Sequence, residues 1–335
     1  LNTIIIFRVI FAATLFALVT GPVSFWLARK TGLMDIPGSA PHKMHDATRP
    51  VAGGVALFIT VFVIGFFTGA FQFPSVRPIL LASIIIFLFG LLDDFRDISP
   101  FWKLVGQLAA SLCLIGLGIQ IHLFQENWLN IGLTLLWLLG VTNAYNFVDS
   151  TDGLAVGLAG IAAAFYMLVA VDSHQNDLSL FSAILLGACF GIFYYNSSPA
   201  YFFLGDSGSQ WLGFVLAGIG IAYNPLGFSR LSSWYIPILL AGVPLFDAAL
   251  VVISRLRRGK PIYEAALDHT FHRLTMYGMS PNRAVLTMHG VSLLFGCMAF
   301  VALYLPPIIA NAFFGAASLA GIGTLVFLDD KRRWL

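Results

Sequence analysis

Apolar runs of about 20 residues, the length a helix needs to cross the hydrocarbon core of a bilayer, recur from one end of this chain to the other. They fall near 3–27, 51–70, 78–95, 103–122, 128–146, 153–171, 178–196, 207–224, 233–254, 284–304 and 308–327. Only 10% of the residues are charged and 59% are hydrophobic, whereas a soluble domain charges about a quarter of its residues. Helices satisfy their backbone groups internally, and the strict alternation of a lipid-facing barrel strand is absent. The expectation is an all-α polytopic membrane protein with about eleven spans, built as a single integral membrane domain over residues 1–335. The first run is long for a signal peptide and is followed by Arg29-Lys30, a stop-transfer flank, so it reads as a span.

Charge distribution gives the orientation. All Lys and Arg except Arg8, Arg77 and Arg230 fall in the connections containing Arg29–Arg49, Arg96–Lys103 and Arg255–Arg283, or in the tail Lys331–Arg333. Basic residues in short loops mark the cytoplasmic face, which puts the N-terminus outside and the C-terminus inside. The acids collect on the same side, with only Glu126, Asp172 and Asp177 opposite. Carboxylates contribute little to orientation, so their clustering needs another cause. Cys113, Cys189 and Cys297 all sit within apolar runs, and an odd number of such thiols favours packing over a disulfide framework or a zinc site.

Five polar clusters lie at the cytoplasmic mouth. "GLLDDFRDIS" places Asp93 and Asp97 one helical turn apart with Asp94 beside them. It reads either as a solvated helix end or as a group of acids relieved by a cation. Lys103, at the start of the next run, is either a snorkelling interfacial lysine or a phosphate ligand opposite those acids. "NAYNFVDSTDGLAVG" gathers Asn143, Asn146, Asp149 and Asp152, of which helix capping explains one. "FFLGDSGSQWLGF" sets Asp206 among small residues, where a bulky ligand can approach the backbone and a helix start can hold an anion. "ALDHTFHRL" supplies His269, His272 and Arg273, a set better suited to an anion than to a metal.

"PHKMHDATRPVAGG" brings His42, Lys43, His45 and Arg49 next to the membrane, where a basic loop is commonly a topology or anionic-lipid signal. Asp247, inside an apolar run, is either functional or hydrogen-bonded to a neighbouring helix. Carboxylates able to hold Mg²⁺, with bases able to hold phosphates, are the parts of phosphoryl transfer. A membrane-embedded site implies a lipid substrate. From the residues alone the reading is a Mg²⁺-dependent enzyme acting on a phosphorylated lipid.

In order and spacing, "LLDDFRD", "NAYNFVDSTDGLA", "FLGDSGS" and "HTFHRL" resemble the polyprenyl-phosphate N-acetylhexosamine-1-phosphate transferases, the family of WecA, TagO and MraY. The likeness runs from "PHKMH" to Arg273, with basic loops more like the WecA/TagO branch. It implies transfer of a sugar 1-phosphate from a UDP-sugar to undecaprenyl phosphate in the bacterial inner membrane, releasing UMP on the cytoplasmic side. It further implies Mg²⁺, or Mn²⁺, held by Asp206 with Asn146 as second ligand. Asp93 would contact or deprotonate the lipid phosphate, with Asp94 in support. Asp152, Phe203 and Asp149 would line the uridine pocket. Lys103, His269, His272 and Arg273, with Lys43 and His45 of the basic loop, would hold phosphate and sugar. The partners are then the UDP-sugar, undecaprenyl phosphate and the lipid bilayer, with no nucleic acid; a homodimer is compatible with such a fold.

Two positions depart from the family pattern: Ser150 stands where Gly is usual, and Phe271 replaces a His. N-acetylglucosamine is the first choice of sugar because it is the commonest donor in this branch. A membrane aromatic prenyltransferase would need paired Asn-Asp-x-x-Asp loops, which this chain lacks. A transporter would place its polar residues near mid-bilayer and show repeat symmetry.

Overall fold

A computed structural model describes residues 2–35, 48–225, 227–261 and 267–329. It is built almost wholly of helices: α1 (Thr3–Thr31), α2 (Gly53–Phe67), α3 (Arg77–Arg96), α4 (Pro100–Gly116), α5 (Asn127–Val148), α6 (Leu154–Asp172), α7 (Asn176–Asn196), α8 (Asp206–Ala222), α9 (Arg230–Ser233), α10 (Ile236–Leu240), α11 (Gly242–Arg257), α12 (Thr270–Met276), α13 (Pro281–Ala302) and α14 (Pro307–Leu328). The one sheet among the described residues pairs two short strands, β1 (Met34–Asp35) and β2 (Arg49–Pro50).

Seven of these helices are long and apolar enough to cross a membrane. Each expected span contains a helix, but α2, α4 and α8 stop at 15, 17 and 17 residues. The run at 233–254 is not one straight span. It is a pair of helices bent by 63°, α9–α10 against α11, which makes an eighth crossing if counted together. The bend lies at "LLAGVPL", where Pro244 has no N–H to return to the carbonyl of Leu240 and Gly242 gives the backbone room. The three cysteines also divide: Cys189 is buried, Cys113 is half-buried and Cys297 lies on the exposed face of α13.

The bundle is organised around α8, whose residues Ser207–Gly220 are all buried. α2, α3, α5 and α6 pack against it. Small residues set the spacing, as they do wherever helices in lipid must gain their contact by close approach. On α7, Gly187 and Gly191 lie against α1; a Cβ at Gly187 would stand 2.4 Å from the Ile10 carbonyl oxygen. Between α3 and α8, a Cβ at Gly90 would stand 2.7 Å from the Ser207 Cα.

The chain before α2 is then laced to the chain before α8. Phe203 N–H donates to the Pro50 carbonyl at 2.9 Å, and Ala52, Gly53 and Gly54 donate back to Phe203 and Leu204. This lacing holds the start of α2 beside the start of α8.

Gly187→Ala should destabilise the protein by about 1–3 kcal/mol through overpacking. Gly132→Ala, with open space around its Cβ, should be neutral or slightly stabilising through helix propensity. Thermal unfolding of the two variants in one detergent checks the contrast.

Candidate active site

Helix ends converge on an open cavity of about 1790 Å³. α3 ends there with Asp93 and Asp94, and α4 begins there with Lys103 on its first turns. α5 ends with Asn143 and Asn146, the loop to α6 adds Asp149 and Asp152, and α8 opens with Asp206. All of these side chains, with Phe203, His269 and His272, line the cavity. Segments far apart in sequence therefore meet at one end of the bundle.

Lys103 is the hub. Its ammonium lies 2.6 Å from Asp93 Oδ2 and 2.7 Å from Asp206 Oδ2. Asp206 also accepts from Gln210 Nε2 at 2.9 Å and from Asn146 Nδ2 at 3.0 Å. The other Asp93 oxygen accepts the Ile98 N–H at 2.9 Å, which fixes the turn out of α3. Lys103 is thus an inward-facing counter-ion and not a snorkelling lysine.

Asp94 does something different. Its two oxygens accept the N–H groups of Asp206 (2.7 Å) and Ser207 (3.1 Å). The first turn of a helix leaves such donors unpaired and carries positive partial charge, so a carboxylate from a neighbouring helix caps it well. Asp94 sets the position of Asp206, and both of its oxygens are engaged in doing so.

Behind these residues runs a chain of amides in which Gln107 and Gln210, two residues the motifs do not single out, join Asn143. Gln107 exchanges hydrogen bonds with Asn143 at 3.2 and 2.8 Å and donates to Gln210 Oε1 at 3.0 Å. The signal was spacing: Gln107 follows Lys103, and Gln210 follows Asp206, by one helical turn. On the other wall, Asp152 accepts from Arg49 at 3.3 Å and from the Ala200 N–H at 2.9 Å. The same guanidinium lies over the Phe203 ring, 5.4 Å from its centroid, so Asp152 and Phe203 belong to one subsite.

The "HTFHR" segment divides between cavity and core. His269 and His272 reach the cavity wall. Burial, followed by the nearby His269, pushes His272 down to about 4, so it is neutral at pH 7 in the absence of a bound anion. Arg273 is not brought to the cavity. It is 3% exposed, and its guanidinium donates to the Leu328 carbonyl (2.6 Å), Ser254 Oγ (2.7 Å) and the Asp268 carbonyl (3.0 Å). A fork that suits a diphosphate also suits buried carbonyls, and here it fastens α12 to α11 and α14. On this side of the cavity it is Arg255, held by Asp268 at 2.8 Å, that reaches the wall. Lys43 and His45 lie outside the described residues.

No group of three or more His, Cys, Asp or Glu side chains forms a ready metal site among the described residues. The donor set nevertheless suits a hard divalent cation. The carboxylates of Asp93, Asp94, Asp149 and Asp206 crowd one region, with Lys103 the one cation bonded among them in the described residues. Asn146 turns its amide nitrogen toward Asp206, so it could offer a cation its oxygen only with that amide reversed.

The family model for glycosyl transferase family 4 matches residues 76–224, the stretch that carries every carboxylate of this cluster. A Bacillus subtilis protein named "Probable undecaprenyl-phosphate N-acetylglucosaminyl 1-phosphate transferase" is 30% identical over 296 residues, covering 85% of this chain and 81% of its own. The chain belongs to the polyprenyl-phosphate N-acetylhexosamine-1-phosphate transferases. A decaprenyl-phosphate N-acetylglucosaminephosphotransferase of Mycobacterium tuberculosis is 30% identical, covering 94% of this chain and 87% of its own. A phospho-N-acetylmuramoyl-pentapeptide-transferase of Halalkalibacterium halodurans is 29% identical, covering 77% and 85%.

Asp149 yields a pH prediction for this transferase. Burial first, then the carboxylates of Asp206, Asp94 and Asp152, push its carboxyl well above the ordinary range. An acid that holds its proton more tightly folded than unfolded stabilises the fold at low pH. That contribution fades as pH rises above the unfolded value of about 3.9. Asp149→Asn should therefore unfold at a higher temperature than the parent at neutral pH, with the gap closing as the pH falls. Thermal unfolding between pH 5 and 8 checks both the sign and the trend.

Proposed function

We propose that this transferase moves N-acetylglucosamine 1-phosphate from its UDP-sugar to undecaprenyl phosphate at the cytoplasmic face of a bacterial inner membrane, releasing UMP. The product would start a cell-surface polysaccharide. The observation that carries the reading is the Asp93–Lys103–Asp206 bridge at the floor of a cavity bounded by helix ends. The names of the two N-acetylglucosamine-handling relatives support the choice of sugar.

In the proposed reaction, an oxygen of the lipid phosphate attacks the β-phosphorus of the UDP-sugar. The bond from that phosphorus to the oxygen bridging it to the α-phosphorus breaks, and this oxygen leaves with UMP. Asp93 faces the acceptor phosphate and takes its proton if it arrives protonated. Lys103 trades a carboxylate contact for a phosphate oxygen, keeping positive charge where negative charge gathers. Asp94 holds the first turn of α8 so that Asp206 stays aimed at the same point. Asp152 and Phe203, with Asp149 beside them, receive the uridine, and Arg49 moves off the Phe203 ring to admit the base. His269 and His272 face the sugar and diphosphate. Mg²⁺ or Mn²⁺, held by Asp206 with Asn146 and the neighbouring carboxylates, would neutralise phosphate charge and polarise the bond that breaks.

Purified protein given UDP-N-acetylglucosamine, undecaprenyl phosphate and Mg²⁺ should release UMP, and excess chelator should stop it. Asp206→Asn should lose on the order of a hundredfold in rate while remaining folded. Absence of UMP with every UDP-sugar tried would overturn the reading.

A further inference from the structure

The proposed function leaves Asp247 without a task. It sits on the second turn of α11, past the bend, and is 0% exposed. An acid inside a membrane bundle is costly to keep unless partners satisfy both of its oxygens. Here both partners come from the segment that opens α12. Oδ2 lies 2.9 Å from His269 Nδ1, and Oδ1 accepts the Thr270 N–H at 2.6 Å. The Phe147 ring stands edge-on to the imidazole, with centroids 6.2 Å apart. One ring nitrogen is therefore fixed from behind, one face is bounded by an aromatic edge, and the residue lines the cavity.

We propose that Asp247 is a positioning residue for the transfer reaction, acting through His269. By accepting from Nδ1–H it fixes the tautomer, so that Nε2 is the nitrogen presented to the cavity. In the neutral ring Nε2 is an acceptor for a hydroxyl of the sugar. In the protonated ring it is a donor to a diphosphate oxygen, and the Asp247 carboxylate balances that charge. A histidine held through one nitrogen by a carboxylate keeps its ring plane and tautomer as the ligand arrives. The bent α9–α11 pair gains a purpose from this: the break lets α11 bring Asp247 under the start of α12. The inference rests on the phosphosugar-transfer reading for the ligand that His269 meets, but not for the pairing itself.

Asp247→Asn is the variant of choice, because it keeps the shape and can still accept the Thr270 N–H through its amide oxygen. The amide nitrogen then faces Nδ1 as a donor, and the imidazole must switch to its Nε2–H tautomer. The first measurement uses no substrate. In protein carrying ¹⁵N-labelled histidine, the signal that His269→Gln removes should report Nδ1–H in the parent and Nε2–H in Asp247→Asn. An unchanged signal would overturn the inference even if the protein proves an active transferase.

The second measurement is kinetic. Asp247→Asn should lower kcat/KM by about tenfold to a hundredfold, and Asp247→Asn/His269→Gln should be no slower than His269→Gln alone. Full additivity of the two losses would mean that Asp247 acts through the fold by anchoring Thr270, and would contradict the positioning role. A parent protein without activity but with the tautomer switch would count against the functional reading and leave the Asp247–His269 pairing standing.

Discussion

Lys103 is the interaction on which the site depends. Two carboxylates from different helices, Asp93 on α3 and Asp206 on α8, point at one place on the cavity wall of a protein with few charges. Without a cation they would repel, and the helix ends that carry them would move apart. A lysine on the first turns of α4 joins all three helices at their shared end. Such a bridge is only partly sheltered, and each of its charges keeps a face to the cavity. That is a structure with a double use. It holds the resting bundle together, and it leaves in place one cation and several anions that a phosphate and a divalent ion can rearrange.

Around that bridge the parts have separate tasks, although the sequence shows several of them as similar acids. Asp94 is adjacent to Asp93, yet it caps α8 while Asp93 faces the cavity. Asp152 is held by Arg49 and a backbone N–H. Asp149, three residues earlier, is buried and then crowded by like charge, and carries its proton more readily. The difference lies in what each carboxylate accepts. Two backbone N–H groups make Asp94 structural, whereas an ammonium shared between two acids keeps both of them exchangeable.

Much of this was legible in the sequence. The apolar runs marked the helices, because the bilayer sets their length, and four short motifs carried most of the carboxylates and both histidines at the cavity wall. The misses have physical causes. The span at 233–254 breaks because Pro244 cannot return a hydrogen bond to Leu240 and Gly242 lets the backbone turn there, a feature hydropathy does not register. Arg273 was expected at the sugar because a guanidinium suits phosphate, but composition cannot distinguish an anion from the carbonyls that end α14. Gln107 and Gln210 were overlooked because neutral amides are not marked out as reactive, although their one-turn spacing from Lys103 and Asp206 predicted a shared face. Asp247 stood out in the sequence, but its partner could be identified only in three dimensions.

The central claim is that these helix ends exchange one phosphoanhydride bond for another at the β-phosphorus, leaving its ester bond to the sugar intact. The direct measurement is the fate of that atom. With the β-phosphate of UDP-N-acetylglucosamine radiolabelled and undecaprenyl phosphate as acceptor, the account predicts that the label enters the lipid fraction and that the released UMP is unlabelled. Label retained in UDP, with the sugar alone reaching the lipid, would mean that the carbon–oxygen bond of the sugar is broken and would contradict the account.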